Sequence, residues 1–436
     1  MSKHTCVVSC PLDTTSGYGA RSRDIAKALI KVKGEEWDIK FLSMPWGGTP
    51  FGALNEEDPE DLDLLTRILP NNQLTYQPDI WFQITIPSEF QPVGKYYNVG
   101  LTAGIETDMC DASWIEGCNR MNLVLVSSQF AKKVFENTVY EKYDQQTRQK
   151  VGDLKLETKM DVLFEGLDLK KYKFLEKTTF DLSDINEEFV YLTVGHWLQG
   201  VEGQDRKDIG TLVRVFLETF KNKKKKPALL LKTQGATASI PDRNIILEKI
   251  DAIRKTVKGD LPNIYLLHGE LTDEQMNEIY NHPKVKAFVL FSKGEGFGRP
   301  YMEFTQSKKP VIASAYSGHV DFLDPEFSVL VEGQLTEIHP SAVVKNMLIE
   351  GSKWFSVDPV EASRALTEVY ENYKVYEEKG KRLGYKIKTN FTFDQMAELL
   401  GKYLNENVPS IPKKMELKLP QLKKIELPKL NLEESK

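Results

Sequence analysis

Two carboxylates, Glu295 and Glu303, flank the glycine-rich run Lys293-Gly-Glu-Gly-Phe-Gly-Arg-Pro-Tyr-Met-Glu303. Earlier in the chain, the adjacent cations Arg206 and Lys207 open the segment Asp208-Ile-Gly-Thr-Leu-Val. Gly296 and Gly298 remove side chains where a ligand would approach the backbone, and free amides at a following helix start favour an anion such as a diphosphate. Glu295 in the loop and Glu303 just inside the helix can reach different parts of one extended ligand, with hydroxyl groups as natural partners. Two cations at the mouth of a helix would offset pyrophosphate charge, both on the bound substrate and on a leaving group. Each feature has a plainer reading as a tight turn, a helix-start charge or a surface cation. Together they point to a sugar-nucleotide site.

The elements that must hold these residues are legible as apolar runs. Residues 285–291 read as a buried parallel strand that delivers the Glu295 loop to a helix. Residues 189–194 read as a strand leading through Gly195-His-Trp towards Arg206 and Lys207, with further strands at 229–233 and 264–271 and a helix start at Leu271-Thr-Asp-Glu-Gln. At the N-terminus, residues 5–9 form a strand and Cys10-Pro-Leu-Asp-Thr-Thr-Ser-Gly-Tyr-Gly a glycine loop before a helix with Ile25, Ala28 and Leu29 on one face. A dinucleotide fingerprint would want a third Gly near Ser22, which is missing. Residues 97–101 suggest another strand; Glu106 follows its end, where open α/β sheets place ligands, although a cap or surface carboxylate fits equally. The charged stretch 137–159 reads as an exposed helical excursion.

The run around Glu295 and Glu303 resembles the Glu-x7-Glu signature of retaining GT-B glycosyltransferases of the family 4 type. Lys309-Pro-Val-Ile-Ala-Ser-Ala-Tyr-Ser-Gly-His319 is similar to the element that follows it there, with Lys309 where the family usually has Gly. The resemblance implies an α/β GT-B fold: two Rossmann-like domains facing a central cleft, a C-terminal crossover helix and an extended tail. It implies Glu295 on the donor sugar and Glu303 on the ribose hydroxyls. Arg206 and Lys207 would clamp the diphosphate, with Gly17, Gly19, Gly296, Phe297 and Gly298 lining the donor. Tyr18 and Glu106 are the acceptor-side candidates. His196 stands where the family carries an earlier Arg. The expected division is residues 1–185 as acceptor domain, 186–388 as nucleotide-sugar domain, 389–407 as crossover helix and 408–436 as a Lys/Pro-rich flexible tail.

Composition limits the alternatives. The chain has 436 residues and a formal net charge of −5, so no global basic field suits nonspecific nucleic-acid binding. Four scattered cysteines and six histidines show neither disulfide-scaffold nor zinc-ligand spacing. No signal peptide or ~20-residue apolar span is evident, so a cytoplasmic location is expected, in the host cytoplasm for a phage-encoded chain. No metal and no further cofactor is required by this reading, and no obligate protein partner is evident. The donor is expected to be a UDP-sugar.

The segments Ile86-Pro-Ser-Glu-Phe-Gln-Pro-Val-Gly-Lys95 and Ala103-Gly-Ile-Glu-Thr107 look like tailed-phage glycosyltransferases. That resemblance implies, narrowly, a 5-hydroxymethylated pyrimidine in DNA, such as hydroxymethylcytosine, as acceptor. A saccharide or lipid-linked glycan, and a non-catalytic nucleotide-sugar- or DNA-binding module, stay open.

Overall fold

The structure, a computed structural model, describes residues 3–412. Most of the expected 408–436 tail lies outside the described residues. The first half contains β1 (His4–Cys10), α1 (Gly17–Lys33), β2 (Trp37–Ser43), α2 (Pro59–Thr66), β3 (Ile80–Ile84), β4 (Tyr97–Thr102), α3 (Ala112–Asn119), β5 (Leu123–Val126) and α4 (Gln129–Asn137), followed by β6 (Tyr140–Tyr143), β7 (Lys150–Leu154) and β8 (Met160–Val162). The second contains β9 (Val190–Val194), α5 (Ile209–Phe220), β10 (Ala228–Lys232), α6 (Ile240–Thr256), β11 (Ile264–Leu267), α7 (Asp273–Asn281), β12 (Val285–Leu290), α8 (Arg299–Phe304), β13 (Val311–Ser314) and β14 (Val329–Val331). It ends with the hairpin β15 (Gly333–Glu337) and β16 (Lys353–Val357) and the helices α9 (Pro359–Glu371), α10 (Tyr373–Asn390) and α11 (Phe393–Asn407).

Each half is built on a six-stranded sheet, ordered β2-β1-β3-β4-β5-β8 and β11-β10-β9-β12-β13-β14. Every pairing in both is parallel. Runs such as Leu123–Val126 and Ala287–Leu290 are wholly buried, as strands covered on both faces must be. Helices supply the cover: α5 turns Ile209, Leu212, Val213, Phe216, Leu217 and Phe220 inward at three- and four-residue spacing. The expected start at Leu271-Thr-Asp-Glu-Gln is α7, begun by a capping box between Thr272 and Gln275.

The chain crosses between the halves twice, and the crossings touch. Leu167 N donates to Phe391 O at 2.8 Å and Phe393 N to Leu167 O at 3.0 Å. Beyond that point α11 buries Met396, Ala397, Leu400 and Leu404 in the core of the first sheet, so the last helix belongs to the first half. The connecting segment leans the other way, with Tyr172, Leu182 and Ile185 in the core of the second sheet.

One local expectation is corrected. Residues 137–159 are not a helical excursion: α4 ends at Asn137 and β6 pairs antiparallel with β7. The consecutive Thr138-Val-Tyr140 favours extended backbone, and Asp144 Oδ1 accepts the amides of Gln146 and Thr147 to form the turn. The expected helix after the Glu295 loop is α8, which gives way to a 3-10 turn at Thr305–Ser307. Lys309, the departure from the family pattern, has a structural role: its ammonium donates to Tyr280 O and His282 O, both at 2.8 Å, at the end of α7. Burial, with Lys286 nearby, pulls that ammonium down to about 7. All four cysteines are buried and free.

Candidate functional site

In the second sheet the chain order reverses between β9 and β12, which lie side by side. Loops leaving the carboxyl ends of two such strands diverge and open a crevice. The loop after β9 carries Arg206 and Lys207; the loop after β12 carries Glu295. Lys207 Nζ donates to Glu295 Oε1 at 2.5 Å, and Arg206 Nη1 to Glu295 Oε2 at 3.2 Å and to Gly294 O at 3.1 Å. Glu295 is 6 % exposed. Burial by itself would raise its carboxyl, but Lys207 and Arg206 outweigh burial and hold it down at about 2. The loop is tied from below by Ser317 Oγ, which accepts Glu295 N at 2.8 Å.

The first half closes over this cluster. A Cβ at Gly294 would lie 2.0 Å from Glu106 O, and one at Gly296 would lie 2.4 Å from Ala103 O. The two glycines are therefore bare because the backbone after β4 passes against them. Glu106 Oε1 stands 3.7 Å from Arg206 Nη1, so the acceptor-side candidate and the donor-side cation meet across the cleft. Burial raises the Glu106 carboxyl, with Arg206 opposing. Tyr18 joins the same rim, its hydroxyl 2.9 Å from Thr102 Oγ1 and accepting Ala103 N at 3.1 Å. Trp46, absent from the sequence reading, stacks on Tyr18 with centroids 3.9 Å apart.

The remaining expected residues divide. Gly17 starts α1 and is open to its surroundings, whereas Gly19 is bare for packing, since a Cβ there would lie 2.2 Å from Thr14 O. Gly298 has φ 99° and supplies the left-handed turn before α8. The Phe297 ring, expected beside a donor, is instead 2 % exposed and packs on Phe322, leaving only its backbone for a ligand. His196 is exposed, with Nδ1 3.2 Å from Gly235 O, and takes no part in the Glu295 cluster.

Glu303 lies apart from Glu295, on α8. Its Oε2 accepts from Tyr280 Oη at 3.2 Å and its Oε1 is 3.6 Å from Arg299 Nε. Burial raises its carboxyl to about 7 against the pull of Arg299. Two polar atoms past β10, Thr233 Oγ1 and Gln234 Oε1, are buried without a partner, as is His319 Nδ1. Such groups are costly unless something satisfies them. Sequence reasoning passed over them, and over Ser317 and Arg299, although the last two stand inside the quoted runs. Among the described residues no group of three or more His, Cys, Asp or Glu could hold a metal ion, and no helix is long and apolar enough to cross a membrane.

No family model and no curated protein matches the chain. Solved structures do. Sucrose-phosphate synthase from Thermosynechococcus elongatus superposes with a TM-score of 0.61 at 14% identity over 93% of this chain and 99% of its own. HepE from Anabaena, in complex with UDP and glucose, gives 0.54 at 12% over 92% and 100%. The trehalose-6-phosphate protein from E. coli bound with UDP-2-fluoro glucose gives 0.58 at 10% over 94% and 100%. At this identity the likeness bears on architecture: the chain has the GT-B fold, two Rossmann-like domains whose strand ends face one cleft.

Proposed function

We propose that the chain is a retaining glycosyltransferase that moves a sugar from a UDP-sugar to a hydroxyl acceptor. The observation that carries this is the Arg206–Lys207–Glu295 cluster at the strand-order reversal of the second sheet. In the reaction the anomeric carbon–oxygen bond to the diphosphate breaks and a bond from the acceptor oxygen forms on the same face. The acceptor proton passes to the departing phosphate oxygen. Arg206 and Lys207 exchange their carboxylate partners for the diphosphate and stabilise its charge as it leaves. Glu295, whose cationic side the diphosphate then occupies, orients the sugar hydroxyls and faces the developing oxocarbenium charge. Glu303 holds the ribose hydroxyls. Gly17, open to its surroundings, lets backbone approach the donor, Gly298 turns the loop into α8, Gly296 is bare for the backbone after β4, and the unpartnered Thr233 Oγ1 and Gln234 Oε1 offer hydrogen bonds to the nucleotide.

Glu106 and Tyr18, both on the first domain's rim of the cleft, form the acceptor side. The acceptor we carry forward is a 5-hydroxymethylated pyrimidine in DNA, resting on the resemblance of residues 86–95 and 103–107. A glycan acceptor is its competitor. The test incubates the protein with a panel of UDP-sugars and either hydroxymethylcytosine-containing DNA or oligosaccharides, with mass spectrometry of nucleosides and glycans and Glu295→Ala as control. A sugar-sized mass gain on the nucleoside, absent from the control, supports both donor and acceptor. A gain only on glycan moves the acceptor. UDP-sugar binding with neither transfer nor UDP release would leave a binding module.

A further inference from the structure

Arg299 is the first residue of α8, directly after Gly298, and its guanidinium is shared among three carboxylates. Nη1 lies 2.6 Å from Asp24 Oδ2 and 3.2 Å from Glu165 Oε2, and Nε lies 3.6 Å from Glu303 Oε1. Only Glu303 belongs to Arg299's own domain. Asp24 is on α1, and Glu165 follows β8 in the first domain.

Those two partners form one braced corner. Arg21, one turn before Asp24, donates to Phe164 O and Leu163 O, and Ser127 Oγ donates to Glu165 Oε1 at 3.3 Å. Glu165 is 5 % exposed, so parting it from Arg299 leaves a carboxylate with little water to replace the lost cation. On the other side Glu303 is held at both oxygens, by Arg299 and by Tyr280. One guanidinium therefore spans the cleft and aims the carboxylate that the proposed reaction places on the ribose.

We propose that Arg299 is a positioning residue that couples domain closure to the orientation of Glu303, so that the ribose anchor is set when the first domain's Asp24 and Glu165 engage. The coupling to the ribose rests on the glycosyltransferase reading, whereas the closure does not. Two arrangements with different contacts to one side chain suffice for such a link, and a coupling of this kind changes affinity by about 5–150-fold.

The double variant Asp24→Asn/Glu165→Gln removes the cross-cleft partners and leaves Arg299, Tyr280 and Glu303 in place. Small-angle X-ray scattering of the ligand-free full-length chain is expected to give a larger radius of gyration for this variant and for Arg299→Leu than for wild type. Arg299→Lys is expected to restore part of the difference. With UDP-sugar as donor, the double variant should raise donor KM at least about fivefold with a smaller change in kcat, although neither substituted residue hydrogen-bonds Glu303 and loss of the Glu165 charge alone would favour the ionised Glu303 and lower KM. Identical scattering of the well-folded double variant and wild type would overturn the latch. A scattering change with unaltered donor KM would overturn its coupling to the ribose anchor. A wild type that opens and closes as expected but binds no UDP would refute the glycosyltransferase reading, and with it the ribose coupling, while leaving the cross-cleft ion pairs as a closure device.

Discussion

At Glu295 the carboxylate is within reach of two cations, while at Glu303 it shares one guanidinium with Asp24 and Glu165. Burial pushes both upward, but Lys207 and Arg206 prevail at the first, which is held at about 2, and burial prevails at the second, which rises to about 7. Glu303 is faced by Arg299, Asp273, Tyr280 and Glu165, and of the two carboxylates it is the one whose charge changes near neutrality. If it holds ribose hydroxyls as a carboxylate, donor KM should rise as pH falls below about 7, by up to roughly tenfold per pH unit, and Glu303→Gln should flatten that profile. A flat wild-type profile between pH 6 and 8 would count against the assignment. The stability signs are opposite for the two groups. Glu303 binds its proton more tightly folded than unfolded, so its contribution is present below its ordinary 4.5 and is lost as pH rises through about 7. Glu295 binds its proton more weakly folded, so its contribution is present above 4.5 and is lost as pH falls towards about 2. Urea unfolding at pH 8 should find Glu295→Gln less stable by about 3 kcal/mol, because Lys207 loses its buried partner. Glu303→Gln should be no less stable than wild type.

Among the elements, the loop from Gly294 to Gly298 does two jobs: it fits beneath the backbone after β4 and turns sharply into α8. Gly298→Ala forces a side chain into φ 99° and should cost about 1–3 kcal/mol in chemical denaturation. An unchanged midpoint would show that the turn relaxes freely. The strands and the placing of Arg206, Lys207, Glu295 and Glu303 were legible because buried parallel strands are continuous apolar runs and the loops after them carry glycines and charges. What escaped depends on contacts between distant segments. Phe297 is an aromatic residue beside two glycines, and only Phe322 packed on it reveals a core ring. Arg299 reads as one more loop cation until Asp24 and Glu165 are brought to it. The hairpin of β6 and β7 was masked by its dense charge, which suits an exposed helix equally well; its aromatic and β-branched residues and the Asp144 turn decided otherwise.

At the scale of the molecule, the two halves are tied by the Arg206–Glu106 and Arg299–Asp24 contacts and by α11, which runs from the chain crossing onto α1. Leu400 of α11 is fully buried in the first core, and Leu400→Ala should destabilise by about 2–5 kcal/mol, read as a fall in the thermal midpoint. The resting cleft keeps its cations neutralised by Glu295 and Glu106, and a doubly charged ligand would displace those partners. The direct measurement is calorimetric titration of the full-length chain with UDP and with uridine, in wild type and in Arg206→Ala and Lys207→Ala. UDP is expected to bind wild type at least about a hundredfold more tightly than uridine does, and each variant is expected to lose most of that difference while leaving uridine affinity unchanged. Equal affinities of UDP and uridine for wild type, or no binding of UDP at all, would contradict a diphosphate site at Arg206 and Lys207.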